Sequence, residues 1–267
     1  MSHLFHSSDP LSLPTGSSNG NSTAGGSTVA HQPSPEPPPV CANRLLASLP
    51  TTEYERLAPH LKPVTLNQGD TLYGEGDTIE HVYFPTKCMI SLVTELADGF
   101  GVEVCMVGKE GMAGIDIILG VNYSKQTATV QIPGQALKLS AHVLREEFER
   151  GGQLRYRLLR YTHALMSMIS QSAACNRRHD IGGRLARWLL TAQDRVERDE
   201  LPLTHEFMGN MLGTRRAGVS VAVNELKQAG LVQYTRGNIT ITDQEGLKAL
   251  ACECYSIVAE EYKRLYD

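Results

Sequence analysis

The stretch LTHEFMGNMLGTRRAGVSVAVNEL, residues 203–226, constrains the fold more than any other part of the sequence. Thr204 is a natural N-cap for a first helix, because its hydroxyl can accept a hydrogen bond from a backbone N–H of the first turn. Gly213 can end that helix in a left-handed conformation. Gly209 lets a second helix approach closely, and Val219 packs that helix back. The stretch therefore predicts two short helices joined by a tight turn.

The residues that follow extend this motif. Thr214 is predicted to cap the second helix, whose apolar positions repeat with helical spacing at Val219, Ala222, Val223 and Leu226. The segment LVQYTRGNITITD places two β-branched runs around Arg236-Gly237-Asn238, which is typical of a hairpin. Helix, tight turn, helix and hairpin together predict a winged helix-turn-helix.

Two adjacent arginines, Arg215 and Arg216, lie in the first turn of the predicted second helix. A guanidinium there can pair with O6 and N7 of guanine or bind a phosphate. The helix N-terminus adds backbone N–H groups that favour phosphates. Because the whole chain carries a net charge of -4, nucleic-acid binding has to depend on this local placement. The alternative is that both arginines are solvated surface residues.

The part before this motif has a different pattern. After a short helical entry, the segment from Lys62 to Leu139 is rich in β-branched residues and turn signals, and ADGFG indicates a hairpin. The predicted strands lie in HVYFPTKCMISLVTE, GVEVCMVG, IDIILG, TATVQI and QALKLS. Their short, regular spacing predicts an antiparallel β-roll of the double-stranded β-helix or jelly-roll kind. The fold class is therefore α+β.

A helical pattern takes over near Gln153 and continues to about Cys175. Its predicted seam has spacings of three and four residues and consists of Leu158, Tyr161, Leu165, Met168, Ser172 and Cys175. Such a 3.5-residue period favours contact with a partner helix, and hence a homodimer. The alternative is that the seam packs on the chain's own roll. We expect a sensor roll at 43–150, a dimerisation helix at 151–179 and a winged helix with a C-terminal helix at 180–267.

Residues 1–42 are rich in Gly, Ser and Pro and are expected to be disordered. We interpret His3, His6 and His31 as solvated rather than metal-binding, and Cys41 is isolated in sequence. Of the six cysteines only Cys252 and Cys254 lie close together, in an apolar context that indicates a helix, and no metal ligand set is assigned. There is no signal peptide and no long apolar run, so a cytoplasmic protein is expected.

Residues 203–232 resemble the pattern T-x-x-x-[IL]-[GA]-x-x-[IVL]-G-x-[ST]-R-x-x-V-[SG]-R of the Crp/Fnr superfamily of bacterial transcription regulators. The similarity extends over about Asn43 to Gly246. It implies double-stranded DNA, a second copy of the chain and RNA polymerase as partners. Arg216 falls on the base-reading arginine. Val221 replaces the second arginine of the pattern, and Ala217 replaces the acidic or polar reader often found after the first, so the base sequence read should differ. The implied DNA-binding residues are Thr204, His205, Thr214, Arg215, Arg216, Ser220, Asn224 and Arg236.

The segment EGMAGIDIILGVNYSKQTATV resembles the superfamily's nucleotide-binding cassette. The ribose-binding glutamate falls on Ile115 and the phosphate-binding arginine on Gln126, so the pocket lacks a charge-assisted pair. Lys125 is not a substitute if it lies in a strand, because its side chain would point to the opposite face. The resemblance implies a degenerate effector pocket for an unknown small molecule, not cyclic AMP or cyclic GMP, formed by Gly111, Gly114, Ile115, Gln126 and Thr127.

No cofactor is predicted. The iron–sulfur branch of the superfamily uses an N-terminal cysteine cluster, of which only Cys41 is present. A haem branch would need a histidine such as His81 or His142, which we interpret as surface or hydrogen-bonded residues. No catalytic motif occurs, so the chain is not expected to be an enzyme. The sequence favours a sequence-specific DNA-binding regulator; the alternative is a small-molecule or redox sensor whose winged helix binds protein.

Overall fold

The structure is a computed structural model that describes residues 42–97 and 99–266. The tail predicted for residues 1–42, with His3, His6, His31 and Cys41, lies outside the described residues except for Ala42. Two short entry helices come first, α1 (Arg44–Ala47) and α2 (Thr51–Leu57). Asn43 caps α1, since its side chain accepts a hydrogen bond from the backbone N–H of Leu46.

Seven strands then form two antiparallel sheets, as the strand pattern predicts. The strands are β1 (Lys62–Leu66), β2 (Thr71–Tyr73), β3 (His81–Pro85), β4 (Met89–Glu95), β5 (Gly101–Val107), β6 (Thr127–Ile132) and β7 (Gly134–Ser140). One sheet has the order β1-β7-β3 and the other β2-β6-β4-β5. The inward faces of both sheets supply the core of the roll, including Val82, Phe84, Ile90 and Val130.

The prediction of a strand in IDIILG is wrong. Ile115–Leu119 form a 3-10 helix between Gly114 and Gly120, both in the left-handed conformation with φ of 94° and 88°. Three of its side chains, Ile115, Ile117 and Ile118, are buried. Short apolar runs do not show whether they are strand or helix by periodicity alone. Here the two flanking glycines turn the backbone at both ends and leave no extended segment to pair.

Two helices follow the roll, α3 (Ala141–Arg150) and α4 (Gly152–Arg178). All six residues of the predicted seam are buried inside the chain. The thioether of Met168, for example, lies 3.5 Å from Cys105 Sγ of β5. The seam therefore packs on the chain's own roll, and as an intermolecular surface the prediction is wrong. A 3.5-residue stripe fits any apolar surface, so its period alone does not identify the partner.

The C-terminal part contains five helices, α5 to α9, and a small antiparallel sheet in which β10 lies between β8 and β9. Its elements are α5 (Ile181–Val196), β8 (Glu200–Leu201), α6 (His205–Met211), α7 (Arg216–Gln228), β9 (Val232–Thr235), β10 (Asn238–Ile241), α8 (Gln244–Leu250) and α9 (Cys254–Arg264). Helix α9 packs back on α4, where Tyr262 Oη donates to the Met168 sulfur at 3.6 Å. Within the described part of the chain, no helix is both long and apolar enough to cross a membrane.

Candidate nucleic-acid interface

The turn between α6 and α7 has the geometry that its glycines predict. The Thr204 hydroxyl accepts from the backbone N–H of Phe207 at 3.2 Å and so caps α6. Gly213 has a φ of 60°. A Cβ at Gly209 would lie 3.1 Å from the carbonyl oxygen of Thr214, so a side chain there would push the two helices apart. Val219 is fully buried, and the predicted helix-turn-helix is confirmed.

The cap of α7 is Arg215 and not Thr214, which corrects the prediction by one residue. The backbone N–H of Thr214 donates to the carbonyl of Gly209 at 2.9 Å, and this bond holds Thr214 in the turn. Arg215 makes no side-chain capping bond. The first N–H groups of α7 therefore have no side-chain acceptor, and an acceptor such as a phosphate oxygen would complete them.

The outer face of α7 is open along its length. Arg215, Arg216, Ala217, Val221 and Asn224 are exposed, and Ser220 is half-buried between them. Val221 is 58% exposed, which leaves an apolar side chain in the middle of a polar face. An apolar group in that position suits contact with a thymine methyl. From the sequence alone, Val221 is only a departure from the family pattern and has no predicted role.

His205 of α6 contacts both the recognition helix α7 and the wing strand β9. Its Nδ1 lies 2.9 Å from the hydroxyl of Ser220 on α7. Its ring lies 4.2 Å from the ring of Tyr234 on β9. Burial lowers the pKa of His205, and the positive charge of Arg216 lowers it further. A neutral imidazole thus positions the recognition helix and the wing relative to α6, as well as lying beside the predicted surface.

The wing is the predicted hairpin of β9 and β10. Arg236 and Gly237 both have positive φ, 48° and 86°, as a two-residue turn of type I′ requires. The Arg236 side chain is exposed at the tip. A Cβ at Gly237 would lie 3.5 Å from the Thr204 methyl, so the wing tip lies beside the start of α6. The wing arginine and the cap of α6 therefore belong to one surface.

A buried carboxylate joins the winged helix to the roll. Glu103 of β5 accepts from Trp188 Nε1 of α5 at 2.8 Å and from the Ser91 hydroxyl at 2.5 Å. Burial raises the pKa of Glu103 to about 7, although both hydrogen bonds and the charge of Arg187 act in the opposite direction. The sequence does not reveal this contact, because 85 residues separate Glu103 from Trp188 and no motif marks either.

Tyr161 of α4 packs against Gly111, one of the residues expected to form an effector pocket. A side chain at Gly111 would clash with the ring of Tyr161 from α4, whose hydroxyl donates to the carbonyl of Met112 at 3.0 Å. Ile115 is buried, whereas Gln126 and Thr127 are half-buried and Thr127 lies 3.3 Å from Glu95. Lys125 precedes β6, is exposed and lies 3.7 Å from Glu75. Gly114 supplies only the left-handed turn.

His81 and His142, the two histidines considered as haem ligands, do not point into the core of the roll. His142 is exposed and lies 3.6 Å from Glu146 on the same helix. His81 starts β3, and burial together with Lys138 lowers its pKa. A different cluster, of three thiols and one imidazole, lies at the C-terminal end of α4.

Comparison with known proteins agrees with this architecture. The model of the Crp-like helix-turn-helix domain family matches residues 183–250. The CRP-like cAMP-activated global transcriptional regulator of Mycobacterium tuberculosis is 22% identical over 198 residues, 72% of this chain and 88% of that protein. The global nitrogen regulator of Synechocystis sp. is 21% identical over 201 residues, 70% of this chain and 89% of the relative. FixK2 from Bradyrhizobium japonicum shares the fold, with a TM-score of 0.62, 17% identity and coverage of 72% and 98% of the two chains.

Residues 183–250 therefore form a Crp-like helix-turn-helix domain, which follows an antiparallel roll and a long helix. Over most of its length the chain is similar to CRP-like regulators, and its family-model match is confined to the helix-turn-helix domain.

Proposed function

We propose that the chain is a sequence-specific transcription regulator that binds a two-fold symmetric DNA site as a homodimer. The outer face of α7 carries this proposal. It presents two arginines at its N-terminal end, uncapped backbone N–H groups and a line of exposed side chains of base-contacting size. This is the end of a recognition helix that enters the major groove.

The residues of this surface divide into two groups. Arg216 and Val221 are assigned to base edges, Arg216 to guanine and Val221 to a thymine methyl, with Ser220 and Asn224 between them. Arg215, Thr214, Thr204 and the wing residue Arg236 are assigned to phosphates, which fix the register without reading sequence. His205 is half-buried and contacts Ser220 and Tyr234, so its role is to position both.

A winged helix that binds protein is the alternative. Protein-binding surfaces bury apolar side chains at their centre and have no need of cations at one helix end. The α7 face carries one apolar side chain larger than alanine, Val221, among polar and cationic ones. Its chemistry favours DNA.

Selection from random double-stranded DNA with the full-length chain tests the proposal. We expect enrichment of a palindrome with half-sites about one helical turn apart, and affinity that falls steeply between two salt concentrations. Enrichment of no sequence, together with equal binding to all fragments, would contradict sequence-specific recognition. Binding of neither specific nor random DNA would favour the protein-binding alternative.

Because the predicted seam is buried, we propose that the dimer surface is instead a stripe of exposed residues on the opposite face of α4. The stripe also has spacings of three and four, and its large apolar members Tyr156, Leu159 and Met166 are 50%, 46% and 63% exposed. Its remaining members are His163, Ser170 and Ala173. A stripe with this period on a 27-residue helix suits a parallel or antiparallel copy of itself.

Light scattering on the double variant Leu159→Glu, Met166→Glu tests this surface. We expect a folded monomer with an unchanged far-UV spectrum, because both side chains are already exposed. Glu146→Gln, on α3 and outside the stripe, is the control and should remain a dimer. A dimer that survives the double change would exclude this stripe as the interface.

We further propose that cyclic AMP and cyclic GMP do not bind, since Ile115 and Gln126 replace the acid and the arginine and Tyr161 fills the space over Gly111. Calorimetric titration should give no heat of binding at micromolar nucleotide. Micromolar affinity for either one would contradict this. An effector of another class and contact with RNA polymerase stay predictions.

A further inference from the structure

Four potential metal ligands meet where the long helix ends. Cys175 and His179 lie one turn apart at the end of α4, and Cys252 and Cys254 flank Glu253 at the start of α9. One ligand atom from each lies within 4.8 Å of every other. We propose that these residues form a mononuclear Zn²⁺ site of the Cys3His type.

The distances fit one tetrahedral ion. With Zn–S bonds of about 2.3 Å and a Zn–N bond of about 2.0 Å, neighbouring ligand atoms lie about 3.5 Å apart. Cys175 Sγ is 3.5 Å from Cys252 Sγ, and Cys254 Sγ is 3.5 Å from His179 Nδ1. Small side-chain rotations close the remaining separations. A [4Fe–4S] cluster binds its ligands through four different iron atoms and spreads them more widely.

The imidazole of His179 has the orientation of a metal ligand. Its Nδ1 points to the sulfurs, while its Nε2 lies 3.2 Å from a carboxylate oxygen of Glu253. A carboxylate on the second ring nitrogen is the usual partner of a zinc-bound histidine, because it fixes the tautomer and strengthens the ligand. The side-chain amide of Gln171 donates to Cys254 Sγ at 3.0 Å, a hydrogen bond that would stabilise the negative charge of a metal-bound thiolate.

The charge of the surroundings complements such a centre. Three thiolates and one Zn²⁺ carry a net charge of -1. Arg184 and Arg187 of α5 are buried beside the thiols, and neither has a carboxylate within 4.0 Å among the described residues. Their Nε atoms also lack hydrogen-bond partners in the described part of the chain. Buried cations need compensating negative charge; Glu103 supplies part of it for Arg187, and the anionic zinc centre would add more beside both arginines.

The ion would connect elements that are distant in sequence. It would join the end of α4 to the start of α9, and the backbone N–H of Cys252 already donates to Gly183 of α5 at 3.4 Å. The site therefore lies at the junction between the long helix and the winged helix. A zinc ion there would hold this junction in one arrangement.

Metal analysis of the full-length chain, purified without chelator, tests the proposal. We expect about one zinc per chain, and Co²⁺ exchange should give the strong visible bands of a tetrahedral thiolate site. Cys252→Ser and Cys254→Ser should each lose the metal, whereas Cys88→Ser, a buried cysteine of the roll, should retain it. Glu253→Gln should weaken zinc about ten- to hundredfold in competition with a chelator.

Several outcomes would overturn it. These are iron with acid-labile sulfide in place of zinc, a Cys175–Cys252 disulfide in the metal-free protein, or reduced protein that takes up neither Zn²⁺ nor Co²⁺. Unchanged zinc in both serine variants would also overturn it. If those variants do not fold, His179→Cys preserves four ligands and must still bind zinc, and the cobalt spectrum of the unaltered chain decides the ligand set.

Discussion

The winged helix and the roll differ in how much of the family's chemistry they retain. In the winged helix, the cap of α6, both glycines and the wing turn have the geometry of a helix-turn-helix with its wing, and both arginines lie at the open end of α7. The roll has two antiparallel sheets and a buried core, but in our proposal Ile115 and Gln126 replace the acid and the arginine that would bind a nucleotide. A fold is specified by many apolar and glycine positions, whereas a ligand pocket depends on a few polar ones that can change without loss of the fold.

The largest effect is expected from substitutions on the buried face of α4, which packs against the roll, and not from substitutions on its exposed face. Leu165→Glu with Met168→Glu places two carboxylates in the core beside Cys105 and Tyr262. We expect a loss of at least about 4 kcal/mol in the free energy of unfolding, because both cavity and buried-charge costs apply. Denaturant titration measures it. A variant that keeps its stability but becomes a monomer would restore the original seam as the dimer surface.

The contact between the two regions predicts a pH dependence. Because burial raises the pKa of Glu103 from 4.5 to about 7, the folded state holds this proton more tightly than the unfolded state does. The stabilisation is fully present below about pH 4.5 and is lost as the pH rises through about 7, a change of up to about 3 kcal/mol. Denaturant titrations at several pH values should show this slope, and Glu103→Gln should remove it. An equal slope in both proteins would assign it to other groups.

A matched pair of glycines tests the close approach in the winged helix. Gly209→Ala should destabilise the chain by about 1 kcal/mol, because the new methyl meets the Thr214 carbonyl. Gly218→Ala, on α7, meets only the Thr214 hydroxyl at 3.5 Å and should stabilise by up to about 1 kcal/mol through helix propensity. Thermal melts compare the two. Equal shifts would mean that Gly209 is not needed for helix packing.

The sequence predicts structure where neighbouring residues determine it. Thr204, Gly209, Gly213 and the wing turn act within a few residues of their partners, so their roles can be read from spacing. The packing of Tyr161 on Gly111 and the Glu103–Trp188 bond depend on which surfaces the tertiary fold brings together. The thiol cluster is of the same kind: Cys252 and Cys254 are visible as a pair, but their partners Cys175 and His179 are more than 70 residues away.

The spacing of apolar residues in α4 also shows what sequence alone cannot predict. Both its buried and its exposed stripe repeat at three and four residues, so sequence indicates a two-sided helix without showing which side faces the roll. Which face is buried depends on the shape of the surfaces that pack against the helix. The buried stripe includes Tyr161 and Met168, whose large side chains fill the space against β5, α9 and the loop at Gly111.

The most direct test of the central claim compares Arg216→Ala with Arg215→Ala on the selected site and on random DNA, with Lys263→Ala on α9 as the control. We expect Arg216→Ala to lose about 1–3 kcal/mol on the selected site and to relax one base position in each half-site. Arg215→Ala should weaken both DNAs alike and lower the salt slope by about one ion per subunit. Equal losses for the two variants would contradict the division between base and phosphate contacts. Binding that neither substitution changes would contradict α7 as the recognition helix.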